Sequence, residues 1–207
     1  MRLKYLLLFT ALGGLGSACT TQESYLPPLV SNSSRGNLRF KGPERLNTDI
    51  AAALELPADT VCTELGMYQC TSAVHNVALG GVEPYGTGLY EPSGVTSSTT
   101  PLVVERVAWS ACTRRVTTDF ADLGAAVIFR GIKLNSAKLA NPDAEEVRAA
   151  ITQLVQRGFL REPTENELAR YIQLARDIEA TGNAEPARAW MQAVCFAVFS
   201  SAEAVFY

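Results

Sequence analysis

Five cysteines and one histidine are the residues of this chain with the most chemical range, and their spacing limits what they can do. Cys70 and His75 form a close Cys/His pair, too few ligands for a zinc site, and no metal is expected. A hydrolase built on His75 would need a serine on a sharp turn, and no G-x-S-x-G occurs, so catalysis by His75 is set aside in favour of a structural role. The carboxylates Glu145, Glu146, Glu165 and Glu167 fall in expected first turns of helices. There the helix dipole accounts for them without general acid chemistry. Gly80, Gly81, Gly86 and Gly88 follow no strand pattern and do not make a dinucleotide loop. Arg114, Arg115, Arg130 and Lys133 are read as partners for acids on neighbouring helices. What remains is a contact surface in which Tyr85 and Tyr90, with Glu83, Glu91 and nearby His75, offer aromatic and acidic groups to a glycan or protein, or pin their loop to the body. No catalytic set, and no cofactor, is expected.

The fate of the thiols depends on the compartment. Met1-Arg2-Leu3-Lys4 is a positive n-region, Tyr5 to Leu15 is an apolar run too short to cross a bilayer, and the small residues Gly16-Ser17-Ala18 precede Cys19. This reads as a signal peptide over residues 1–18. Leu15-Gly16-Ser17-Ala18-Cys19 resembles the bacterial lipobox, which implies acylation of Cys19 and a membrane lipid as the first partner. Several acyl chains, at about 0.8 kcal/mol per buried methylene, hold a protein where one chain would not. Thr20 stands where an Asp would signal inner-membrane retention, so the outer membrane is the expected location. After residue 18 there are 16 basic and 21 acidic residues, a net charge of −5, which gives no electrostatic footprint for nucleic acid.

In an oxidising compartment the other four cysteines, Cys62, Cys70, Cys112 and Cys195, are expected to form two disulfides, with three pairings open. The preferred pairing is Cys62 with Cys70 and Cys112 with Cys195. Eight residues of unbroken helix would hold Cys62 and Cys70 about 12 Å apart, beyond the roughly 7 Å limit for a bridge, so the chain must bend between them, with Gly66 as the pivot.

The elements that position these residues read as mostly helical. A tether over residues 19–44, holding Pro27-Pro28 and several Ser and Asn, leads to one domain over residues 45–207. Arg45–Leu56 is predicted as a short helix stopped by Pro57, and Thr60–Leu79 leans helical with a break at Gly66. Residues 80–100 form a long loop, longer than a compact domain ordinarily gives to a connection. Thr100-Pro101 opens a helix ending near Phe120 to Gly124, and Ala125–Phe129 is an apolar run of open type. Asn141-Pro142-Asp143 opens the next helix, which Gly158 closes. Thr164 with Glu167 forms a capping box for a helix ended by Gly182, and Pro186 opens the last long helix, with a re-capped turn at Ser200–Glu203. The expected fold class is all-α: a disulfide-stapled antiparallel helical bundle with one long irregular loop.

Ala111-Cys112, the run Arg161-Glu162-Pro163-Thr164-Glu165-Asn166-Glu167-Leu168, the closing Ala193–Tyr207 segment, and Arg45-Leu46-Asn47 leading to Leu54-Glu55-Leu56-Pro57 together resemble a helical domain of unknown function in large secreted proteins of planctomycetes and myxobacteria. Those proteins often carry cytochrome-c-like domains. The resemblance implies a helical fold and a cytochrome-type redox protein as a neighbour, while the lack of C-x-x-C-H argues against a covalent haem in this chain. Two functional expectations follow: a membrane-anchored lipoprotein acting as a non-catalytic interaction or scaffold module at the cell envelope, or an accessory subunit of a periplasmic redox or hydrolytic system.

Overall fold

The computed structural model describes residues 38–93 and 96–207, so the stretch read as a signal peptide, Cys19 and most of the stretch read as a tether lie outside the described residues. The chain is mostly helical, with two disulfides. Helix α1 (Gly42–Leu54) begins inside the stretch read as tether, because Pro43 sits in its first turn and Phe40 pairs across a β-bridge with Phe206. Leu46, Ile50 and Leu54, four residues apart, form its buried stripe. Glu55 takes the left-handed cap (φ 50°), and Pro57 prevents continuation.

Between α1 and the next long helix the helix-leaning reading of Thr60–Leu79 is corrected. A single 3-10 turn (Ala58–Thr60) leads into the antiparallel strands β1 (Thr63–Glu64) and β2 (Tyr68–Gln69), and then into a π turn over Cys70–Val74 closed by His75 N–H donating to Cys70 O at 2.8 Å. The reversal is local: Leu65 (φ 51°) and Gly66 (φ 72°) both take left-handed conformations, the pattern of a type I′ hairpin turn.

Helix α2 (Thr100–Ala121) follows, its buried positions running from Val103 to Asp119. The apolar run Ala125–Phe129 is neither helix nor strand. Its N–H groups are turned toward the carboxylate of Asp119, which is fully buried and accepts from Val127 (3.0 Å), Ile128 (2.8 Å) and Phe129 (3.2 Å) and from Arg115 (2.7 Å). Buried N–H groups without a ladder need such a partner. A second hairpin, β3 (Leu134–Asn135) with β4 (Lys138–Leu139), turns on Ser136 at φ 56° and offers Ala137 O to the N–H of Ala187. These two hairpins correct the all-α expectation.

Helix α3 (Glu145–Phe159) starts after the Asn141 turn, in which the Asn141 side chain accepts from Asp143 N–H. Leu160, not Gly158, takes its left-handed cap (φ 57°); Gly158 stays helical because a Cβ there would run into Val198. Helix α4 (Glu165–Ala180) carries the expected capping box, α5 (Pro186–Phe199) the core residues Trp190, Met191, Val194 and Val198, and α6 (Ala202–Val205) is capped by Ser201. Trp190 Nε1–H donates to Tyr171 O at 2.9 Å, tying α5 to α4. Cys112 and Cys195, both fully buried, join α2 to α5 at a Cα separation of 5.7 Å.

Candidate functional site

The residues singled out for chemistry gather in the irregular stretch between α1 and α2. Its base is the Cys62–Cys70 disulfide, with Cα atoms 5.4 Å apart, spanning the hairpin at the pair next to Thr63–Gln69; the N–H of Cys70 donates to Cys62 O at 3.0 Å. The bend at Gly66 is what brings the two thiols together. Beside it, His75 Nε2 lies 2.6 Å from Glu64 Oε1, and Arg106 Nε of α2 lies 2.6 Å from the same oxygen. The hydrogen bond from His75 holds the Glu64 carboxyl below its ordinary range, with Arg106 adding to the effect. The Glu64 carboxylate thus holds His75 and Arg106 together, and the trio links hairpin, π turn and α2. Arg114 donates to Thr63 Oγ1 at 2.9 Å further along the same helix.

The long loop has internal order. Glu83 and Leu89 form a β-bridge, and the Glu83 carboxylate turns back to accept from the backbone N–H of Gly86 (2.9 Å) and Thr87 (2.5 Å), which keeps its pKa low. Asn76 donates to Val82 O at 2.6 Å, and Ser93 N–H to Gly80 O at 3.0 Å. At its far end Thr100 Oγ1 accepts from Ser97 N–H and donates to Ala78 O, so the loop is closed on α2 by a residue expected only as a helix cap. On this frame Tyr85 and Tyr90 project into solvent, 98 % and 77 % exposed, and Glu91 is exposed beside them. His75 belongs to the hairpin clamp and Glu83 to the loop's own scaffold. Among the described residues no group of three His, Cys, Asp or Glu side chains converges as for a metal ion.

No family model, curated protein or solved structure matches this chain. The function is therefore argued from its surfaces.

Of the fourteen large hydrophobic side chains exposed among the described residues, nine lie between Leu65 and Tyr90, which makes this stretch, and not the helical body, the apolar face of the molecule. From Leu65 to Val82 there is no Asp, Glu, Lys or Arg. The feature is legible as a gap in the charge pattern, yet only exposure distinguishes it from a core segment. Two further features were not foreseen. A groove of about 460 Å³ runs between α1 and the end of α3, where Arg45 stacks on the Tyr207 ring at 4.9 Å and Arg157 donates to Ala53 O and Glu55. Its acids are already paired, Asp49 with Lys41 at 2.9 Å and Glu203 with Arg161 at 2.7 Å. Arg161 also grips Glu167 through two N–H groups (2.7 and 2.9 Å), which pulls the Glu167 carboxyl down to about 2. That cluster ties the capping box of α4 to α6. No helix among the described residues is long and apolar enough to cross a membrane.

Proposed function

We propose that this chain is a bacterial envelope lipoprotein, held at the outer membrane by acylated Cys19, whose helical body, read as an antiparallel bundle, serves as a non-catalytic scaffold presenting the loop around Tyr85 and Tyr90 to an envelope protein partner. The observation that carries the reading is the exposure of Tyr85 and Tyr90 on a loop braced by the Glu83 turn and closed on α2 by Thr100. Ordering a contact loop before binding lowers the entropic cost of association, and exposed Tyr is well suited to such surfaces.

Intact mass of the protein from a bacterial envelope, before and after reduction, tests the anchor: acyl mass on Cys19 is expected, and its absence overturns it. Retention of an envelope protein by the purified chain tests the loop. Replacing Tyr85 and Tyr90 by Ala is expected to shift stability by less than about 0.5 kcal/mol, as surface changes do, and to abolish that retention; undiminished retention counts against the loop as the contact surface.

A further inference from the structure

Leu65 is held at φ 51°, in the left-handed region that disfavours a residue carrying a Cβ, and its side chain is 88 % exposed. The residue is unfavourable twice over: Asn or Gly would suit the turn better and would not show a leucine to water. Met67, the third residue of the turn, is 71 % exposed, and Tyr68 just behind it is half-exposed. The tip is not loose, since the Cys62–Cys70 disulfide closes its base and Glu64 is fixed to Arg106 and His75. A strained, rigid, apolar protrusion is the reverse of what solubility favours, and strain of this kind gathers at working sites.

The order of residue types along the protrusion identifies its partner. The aliphatic side chains Leu65 and Met67 stand at the tip, the phenol of Tyr68 comes next, and the guanidinium groups of Arg106 and Arg114 flank the base, hydrogen-bonded to Glu64 and Thr63. Arg114 has no carboxylate within ion-pair distance among the described residues, and Arg106 is largely exposed although paired with Glu64. Acyl chains, interface and phosphates follow one another in the same sequence along the normal of a bilayer. The stretch from Leu65 to Val82 holds no Asp, Glu, Lys or Arg, and the carboxylate of Glu64, in register with Tyr68, is already ion-paired with Arg106. A protein pocket would require no such gradation.

We propose that the Leu65–Tyr68 hairpin tip is a lipid-facing finger, which seats Leu65 and Met67 among the acyl chains of a bilayer surface while Arg106 and Arg114 meet headgroup phosphates. It goes beyond the envelope reading, on which it rests only in that a bilayer must lie within reach, and it does not require acylation of Cys19.

Met67 supplies its own probe, because dilute hydrogen peroxide converts an exposed thioether to the sulfoxide, and the buried Met191 serves as the internal reference. The full exported chain is mixed with vesicles of phosphatidylethanolamine and phosphatidylglycerol, sedimentation is measured, and oxidation of each methionine is followed by peptide mass. Oxidation of Met67 is expected to slow roughly fivefold with vesicles, as about four-fifths occupancy of the seated state gives. Leu65→Asn and Leu65→Gly, both at home in a left-handed turn, are expected to hold or raise the melting temperature and to restore the lipid-free rate in the presence of vesicles. Met67 oxidised at the lipid-free rate in protein that sediments with vesicles, protein that does not sediment, protection unaltered in both Leu65 variants, or protection that needs a partner protein would each overturn the finger. Acyl mass missing from Cys19 with Met67 still protected would remove the anchor and leave the finger standing.

Discussion

The two disulfides bind two regions built on opposite principles. Cys112–Cys195 lies in the core and joins α2 to α5 across 83 residues, among side chains that would pack there with or without it. Cys62–Cys70 spans eight residues and braces a segment with short strands, a π turn and nine of the fourteen large hydrophobic side chains exposed among the described residues. Helices supply their own backbone hydrogen bonds and need only burial of one face, whereas the irregular region relies on single side chains for its order: Glu83 for the loop, Thr100 for its closure, Glu64 with Arg106 for the hairpin. The lesson is that the helical body carries stability and the stapled segment carries a surface.

That division can be broken at either end. Replacing both Cys112 and Cys195 by Ala is expected to lower unfolding stability most, by about 4–5 kcal/mol on the chain-entropy account of an 83-residue loop, read by denaturant titration. A loss as small as that of the other pair would show that the body does not depend on the long crosslink. Asp119→Ala comes next, at about 3–4 kcal/mol, because it strands buried Arg115 together with the N–H groups of half-buried Val127 and buried Ile128 and Phe129. Hydrogen exchange should localise the damage to the Val127–Phe129 turn; uniform loosening of the chain would contradict the local role given to Asp119.

Replacing Cys62 and Cys70 by Ala is expected to cost about 2–3 kcal/mol, since the loop is short. Exchange protection should fall over residues 58–93 while the helices stay protected, and equal loss in α2 and α5 would erase the distinction between the regions. A smaller loss still is expected at Arg161→Ala, because its pairs with Glu167 and Glu203 lie at a solvent-exposed site where water screens them. Here pH sharpens the test. The Glu167 carboxyl, lowered by Arg161 to about 2 from 4.5, stabilises the fold fully above the unfolded value and loses that contribution as pH falls from about 4.5 through 2. The variant should lose most of this acid slope. A slope equal to that of the unaltered chain would assign it to other carboxylates.

Punctuation was legible wherever it acts within a few residues. Thr164 and Glu167 announce their capping box, Pro101 and Pro186 mark the first turns of α2 and α5, and the even set of four cysteines anticipated two bridges, with the pivot at Gly66. The exposed pair Tyr85 and Tyr90 could be named from the sequence, but their projection from an ordered loop could not. The hairpin escaped because its turn places Leu65, a residue with no preference for φ above zero, next to Gly66, and because two-residue strands leave no alternation to read. Asp119 pairs at helical spacing with Arg115, but its role escaped because the N–H groups it holds lie eight to ten residues on, beyond the reach of any helical spacing.

The sequence by itself determined that the chain is mostly helical, where α2, α4 and α5 start, and the number of cysteines available for crosslinks, because these depend on local backbone preference and on counting. Tertiary structure alone decided where α3 ends, since Gly158 is required for the approach of Val198 and the left-handed cap passes to Leu160. It also decided which apolar residues became surface. Leu65 and Leu154 are the same side chain, and only the packing of the folded chain leaves the first in water and closes the second into the core.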